Sequence, residues 1–213
     1  MEIGELWVTD NDAERLRRAL GRRKLILASA SPRRAKVLTE CGVKFTVSPV
    51  EVGEYIGAGS SPSGHVVGWS KRKALAAGQI HPRGLILGVD TIVHYRGKIL
   101  GKPGNKQDAR RLLTMLSGRT HTVYTGMALV AMPQRVLVSG WCTTRVRFFR
   151  LSRRQIDAYI ATGEPMDKAG AYGIQEGGRR LVADIDGPLD NVVGLPVGRF
   201  AGLIERLKGR LSA

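Results

Sequence analysis

The chain has 213 residues, 43% of them hydrophobic, enough for one α/β domain with a filled core and too ordinary a mixture for a disordered polymer. Its 34 Lys and Arg against 18 Asp and Glu give a formal net charge of +16, which selects anionic partners (nucleic acid, an acidic membrane or nucleoside triphosphates) without choosing among them. No run approaches the roughly 20 apolar residues of a membrane helix, and a start carrying Glu2, Glu5, Asp10 and Asp12 lacks a basic-then-apolar leader, so a cytoplasmic protein with no membrane contact is expected.

In chain order, residues 11–20 read as a short helix ended by Gly21, and Leu25 to Ala28 is an apolar run typical of a buried strand. Ser31-Pro32 then opens a helix, serine as cap and proline at the first helical position, which stops near Cys41-Gly42. Val43 to Val47 alternates like a strand, residues 51–62 read as a loop, and a helix follows from Ser63 to Ala77 with Gly78 as its stop. Leu85 to Val89 is a second buried strand, and Thr91–Tyr95, Arg96-Gly97 and Lys98–Leu100 form a small hairpin. Asn105 caps a helix to Leu116, closed by Gly118. Two long strands, about Thr122–Met132 and Arg135–Phe149, turn at Pro133-Gln134. Ser152-x-x-Gln155 is a capping box for a helix through Ala161, ended by Gly163, and Leu181–Ile185 is a further strand. A last helix shows Phe200, Leu203, Ile204 and Leu207 on one face. Interleaved strands and helices predict one α/β domain with a mixed, twisted sheet flanked by helices, residues 23–213, preceded by an N-terminal extension over residues 1–22.

Cys41 and Cys142 stand far apart and read as buried free thiols, and the four histidines show no paired ligand spacing, which argues against a His/Cys zinc site. The cations fall in short groups such as Arg22-Arg23-Lys24 and Arg33-Arg34 rather than in a basic, aromatic-rich ribbon.

Four patterns carry the chemistry. Ala28-Ser29-Ala30-Ser31-Pro32-Arg33-Arg34 joins a strand to a helix start, where free N–H groups and the helix dipole favour an anion and two arginines add charged donors. Gly88-Val89-Asp90-Thr91 sets a carboxylate directly after an apolar run, at the expected carboxyl end of a strand, suited to hold Mg²⁺ or to help deprotonate a water. Gly101-Lys102-Pro103 offers an ammonium on a stiffened loop. In Asp167-Lys168-Ala169-Gly170-Ala171-Tyr172-Gly173-Ile174-Gln175, small residues let the backbone crowd a ligand and Gln175 is free to read a base edge. Each has a plainer reading, as a helix cap, a turn aspartate, a solvated lysine and a glycine-rich connection.

Together these blocks resemble the Maf family of nucleotide pyrophosphatases, along with Leu116-Ser117-Gly118-Arg119-Thr120-His121-x-Val123-Tyr124-Thr125-Gly126 and Asn191-Val192-Val193-Gly194-Leu195-Pro196, in order from about Leu25 to Leu207. The resemblance implies a Maf or inosine triphosphate pyrophosphatase-like fold, hydrolysis between the α and β phosphates, a divalent cation such as Mg²⁺ or Mn²⁺, and a homodimer. It implies Asp90 as catalytic base, Glu54 as a partner for the metal, Lys73 and Lys102 near the phosphates, and Arg33, Thr91 and Gln175 at positions linked to nucleotide choice; Ser29, Ser31, Arg34 and Lys168 complete the expected substrate contacts. Where many members carry Asp-Glu in the first loop, this chain has Gly53-Glu54, which implies weaker metal affinity if the missing carboxylate shares the ion. Trp69 and the loop around Gly57 and Gly59 are also less typical.

A carboxylate alone is a poor match for deprotonating water, and a bound cation narrows the gap by acidifying it. Thymine and uracil present acceptor, donor and acceptor along their pairing edge, to which an amide offers one donor and one acceptor, so Gln175 predicts dTTP and UTP over GTP derivatives. The alternatives are a 7-methyl-GTP or broad-specificity pyrophosphatase, a nucleic-acid-binding regulator, which the charge permits, and a septum-formation regulator, which the family resemblance implies; the ordered site residues favour catalysis over both regulators.

Overall fold

The computed structural model describes residues 7–53 and 61–212. Strand β1 (Leu25–Ala28) is buried at all four positions, as a strand covered on both faces must be. It pairs in parallel with β2 (Phe45–Val47) on one side and with the first third of β3 (Gly84–Tyr95) on the other. The rest of the seven-stranded sheet is antiparallel: β5 (Thr120–Met132) on β3, β6 (Val136–Phe148) on β5, β7 (Val182–Asp186) on β6, with β4 (Lys98–Leu100) folded back on the end of β3.

Seven α-helices cover this sheet among the described residues: α1 (Asp10–Leu20), α2 (Pro32–Glu40), α3 (Pro62–Ile80), α4 (Lys106–Leu116), α5 (Arg153–Ala161), α6 (Leu189–Val193) and α7 (Val197–Ser212). Side-chain caps start α1, α4 and α5, two at residues the sequence predicts (Asn105 and Ser152) and one at Thr9, which it does not single out. Thr9 accepts from Asp12 N, Asn105 from Asp108 N, and Ser152 and Gln155 complete a reciprocal capping box. Helix α1 buries Ala13, Leu16, Ala19 and Leu20 and is tied to α7 by a two-bond pair from Arg15 to Glu205. Phe200, Leu203, Ile204 and Leu207 of α7 are all buried.

Helix α3 lies unusually close to the sheet because two strand glycines present no Cβ. A methyl group on Gly88 would sit 2.1 Å from the Ser70 carbonyl oxygen, and one on Gly126 would sit 2.4 Å from that of Val66. Two expectations fail here. Gly78 does not end α3, which runs on to Ile80 with His81 as its cap, because Gly78 is buried within packing distance of Ile86 and Met132. Nor does a strand end at Val89 ahead of the hairpin, whose turn at Arg96-Gly97 and return strand Lys98–Leu100 are as expected. β3 continues unbroken through Asp90 to Tyr95, held by eleven register partners on β5 from Gly84 to His94. The alternating segment at Val43–Val47 shrinks to the three residues of β2.

Two buried groups give the fold opposing pH responses. His121 is 2% exposed, with Nε2 2.7 Å from the Tyr172 hydroxyl, and burial pushes its pKa down to about 4 from 6.5. Its contribution to stability is therefore complete above 6.5 and lost as pH falls toward 4. Asp190 runs the other way. Burial raises its carboxyl from 3.8 to about 6 despite the bond it accepts from Val197 N, so its contribution is complete below 3.8 and lost as pH rises through about 6. Over their common window the two trends offset each other. In urea denaturation between pH 6 and 4.5, Asp190→Asn is expected to lose about 2 kcal/mol more than the wild type, with the histidine response unmasked. Equal acid sensitivity in the two proteins would contradict this balance.

Candidate active site

A difference in strand length opens the sheet. β1 ends at Ala28, opposite Gly88, and β4 meets β3 only from Val93, opposite Leu100. Between these points the edge of β3 from Val89 to Ile92 has no strand beside it among the described residues. Strand direction brings Ser29 and Ser31 to one side of this notch, and Gly101 and Lys102, leaving β4, to the other. The helix α2 begins at Pro32, so its unpaired N–H groups face the same place. Ser31 is the N-cap residue, yet its hydroxyl makes no capping bond and stays available to a ligand.

Asp90 lies mid-strand, not at the strand's carboxyl end as expected; the end of β1, not of β3, exposes it. Its side chain shares the α3 face with Gly88, and Lys73 Nζ donates to Asp90 Oδ1 at 2.7 Å and to the Val89 carbonyl at 3.4 Å. Both side chains are about one-fifth exposed, which keeps the pair in reach of a ligand while limiting screening by water.

On the opposite face Arg34 is a buried hub. Its Nε donates to the Gly194 carbonyl, Nη1 to Ser29 Oγ and Nη2 to Thr91 Oγ1, at 2.7–3.0 Å. Thr125 donates to the Asn191 carbonyl, so the Thr91–Thr125 bond carries the Thr91 proton. The Thr91 hydroxyl thus accepts from Arg34 and spends its proton on Thr125, leaving one acceptor lone pair. Burial pulls the Arg34 pKa down to about 10, while Asp90 acts through space to raise it and Arg33 to lower it. Ser29, Arg34 and Thr91 therefore form one hydrogen-bonded cluster of a first wall, and Lys73 and Asp90 a second on the other face of β3, beside it along the strand.

A second wall comes from the glycine-rich loop. Gly170 donates its N–H to the Gly101 carbonyl and packs so closely on Val93 that a methyl group there would stand 2.9 Å from Val93 Cγ2. Arg33 reaches across to Asp167 at 3.1 Å, and Lys168 Nζ donates to Asp167 and to the Glu164 carbonyl at 2.8 and 2.7 Å. Burial works to raise the Asp167 carboxyl, but Lys168 and Arg33 outweigh it and hold it below its ordinary value. Tyr159 accepts from Gly173 N and donates to Glu164, whose other oxygen accepts from Gly177 N. Gln175 Nε2 is buried without a partner among the described residues.

A family model described as Maf-like protein matches residues 24–207. The chain belongs to the Maf-like protein family. It is 47% identical over 186 residues to a dTTP/UTP pyrophosphatase of Bacillus anthracis, covering 87% of this chain and 95% of the relative. A dTTP/UTP pyrophosphatase of Bacillus cereus matches to the same extent. Among solved structures, the nucleoside-triphosphatase / dITP/XTP pyrophosphatase of Mycobacterium abscessus is similar over 60% of this chain and 75% of its own, at 16% identity and a TM-score of 0.38.

In this Maf-like protein, ten of the eleven predicted site residues fall on described segments, and nine of these join through the contacts above or flank the notch directly. Gln175 follows on the same loop as Lys168. Lys102 flanks the notch through its backbone, and its side chain is exposed. Glu54, Gly57 and Gly59 lie outside the described residues. Asp167, Thr125, Asn191 and Gly194 act in the wall without having been singled out, although all four stand inside the quoted motifs. Two hollows of about 420 and 480 Å³, one beside His94 and Arg119 and one beside Asp190 and Arg199, contain none of the predicted site residues.

No three Asp, Glu, His or Cys side chains cluster as a metal cage among the described residues. Asp90 accepts from Lys73 through Oδ1, and its Oδ2 has no described protein partner. One carboxylate beside several cations fits a hard divalent ion that keeps several waters and takes its other oxygens from a ligand, rather than a soft or fully caged one.

Proposed function

We propose that this Maf-like protein hydrolyses nucleoside triphosphates between the α and β phosphates, releasing monophosphate and pyrophosphate, and prefers dTTP and UTP, clearing these or modified pyrimidine nucleotides. The observation that carries the reading is the Lys73–Asp90 pair at 2.7 Å in a gap of the sheet, beside a helix start and a set of cations. The similarity to dTTP/UTP pyrophosphatases at 47% identity supports the same reading.

In this scheme the N–H groups at the start of α2 and the Ser29 and Ser31 segment receive phosphate oxygens. Lys73, Lys102, Arg33 and Lys168 neutralise the charge that builds on the phosphates and the leaving pyrophosphate. Arg34 and Thr91 hold the floor and contact the nucleotide through Ser29 and the backbone they position. Asp90 orients the attacking water and takes its proton. A Mg²⁺ or Mn²⁺ ion would be held by Asp90, with Glu54, outside the described residues, as the second carboxylate that the family resemblance implies; bound, it would supply charge neutralisation and a more acidic water. The unpartnered Gln175 amide N–H suits a pyrimidine carbonyl, since a buried donor without a partner is costly until a ligand satisfies it. Family resemblance adds a homodimer acting in the cytoplasm.

The test is a panel of normal and modified triphosphates with Mg²⁺ or Mn²⁺, scored by identifying the products. dTTP and UTP are expected to give the highest kcat/KM, with pyrophosphate and not orthophosphate released. Gln175→Ala is expected to lose about 10-fold in kcat/KM for UTP, the range of one base-edge contact, with less change for substrates of other base shape. A panel led by 7-methyl-GTP would overturn the pyrimidine preference.

A further inference from the structure

The end of the sheet opposite the notch carries a row of cations that the hydrolytic reading does not use. Lys24 precedes β1, Lys44 precedes β2 and Arg83 lies just before β3, and the register Leu25↔Phe45 and Leu25↔Leu85 sets these strand starts side by side. Gly84 pairs with Met132 and Ala131 with Val136, so the turn holding Arg135 continues the same row. Arg22 and Arg23 complete it on the link from α1 to β1. All six side chains are exposed, and none makes an ion pair among the described residues. The segments 21–24, 42–44, 81–84 and 133–135 contain no Asp or Glu.

Part of this charge has a structural reason, because α1, α2 and α3 all end at this edge and helix C-termini attract cations. Three ends at about half a negative charge each account for roughly 1.5 charges, and six cations stand there. The surplus lies along a line of five strands, β2-β1-β3-β5-β6, about 19 Å wide at about 4.8 Å per strand. We propose that this edge binds the phosphate backbone of double-stranded nucleic acid without reading its sequence, as a function separate from nucleotide hydrolysis. Guanidinium groups match phosphate oxygens two at a time, and four of the six are arginines. The four segments contain no Phe, Tyr or Trp on which unpaired bases would stack, and His81 is bonded to Ser48, which favours a duplex over a single strand. The apolar faces of α1 and α7 are buried in the core, leaving the exposed Ile80 and Leu211 as too small an apolar area to enter a bilayer.

The experiment titrates a fluorescently labelled 20-base-pair duplex with the full-length protein at 50–200 mM salt, following anisotropy. For about five phosphate contacts the log–log salt slope is expected near −4 to −5, independent of duplex sequence. The variant Arg22→Gln/Arg23→Gln/Arg83→Gln is expected to bind about 100-fold more weakly at 50 mM salt, with a slope shallower by about 3, and to hydrolyse nucleotides as the wild type does. Unchanged duplex binding by that variant would overturn the proposal. So would displacement of the duplex by saturating UTP, which would move binding to the notch, or binding to phosphatidylserine vesicles with no binding to the duplex. Retained hydrolysis in the triple variant separates failure of this inference from failure of the enzymatic one.

Discussion

Asp90→Asn is expected to lower kcat by about 10²- to 10⁴-fold, the range for removing a group that moves a proton in the transition state, while the protein still folds. Asparagine keeps the size and shape of the side chain and can still accept from Lys73 Nζ, but it can neither take up a proton nor offer a charge to a cation. The pair is about one-fifth exposed, so a Lys73 that keeps a neutral acceptor but loses its counter-charge recovers water, and the loss of stability is about 1–2 kcal/mol, below the 3–5 kcal/mol of a sealed ion pair. Single-turnover hydrolysis of UTP together with a thermal melt separates the two effects. A variant retaining more than a tenth of wild-type turnover would remove Asp90 from the reaction.

The second large effect concerns packing far more than chemistry. Gly88→Ala places a carbon 2.1 Å from the Ser70 carbonyl oxygen and 2.7 Å from Ala74 N, both backbone atoms of α3. Neither can swing aside, so the helix must lift from the sheet. The expected cost is about 3 kcal/mol or more, a fall in Tm of roughly 6–12 °C for a chain of this size. Lys73 stands one turn beyond Ser70 on that helix, so activity should fall as well, because lifting α3 lengthens the 2.7 Å reach to Asp90. Gly68→Ala on the same helix is the control. It has open space around it, and an alanine there is expected to raise stability by about 0.5–1 kcal/mol. Equal melting temperatures for the two variants would refute the close seating of α3.

The chain's own pattern told much of this in advance, and the reason is physical. Cap residues act within four positions, so Asn105, Ser152 and Gln155 announce their helices directly. The apolar face of α7 repeats with the helical period and points inward. What the pattern hid depends on partners distant along the chain. Asp90-Thr91 interrupts an apolar run and so reads as the end of a strand, but β5 supplies a partner at each step and β3 carries on. The notch exists because β1 has four residues and β3 has twelve, a mismatch that neither segment displays alone. Gly78 reads as a stop until Ile86 and Met132 are brought against it. Asp167 stands next to Lys168 in a recognisable block, yet its grip on Arg33 spans 134 positions, and no local rule reports that distance. The candidate site residues could be named because their types and order match a family's blocks, whereas the tie of the Thr91 hydroxyl to Arg34 and Thr125 could not.

The Arg34 hub has a thermodynamic corollary. Its guanidinium is held by three neutral oxygens and touches no carboxylate among the described residues, so the ligand-free protein confines a positive charge that these neighbours do not cancel. Any polyphosphate entering above it completes the electrostatics of the interior as well as occupying the cleft. Recognition and consolidation of the fold are then one event, and heat resistance becomes a gauge of occupancy.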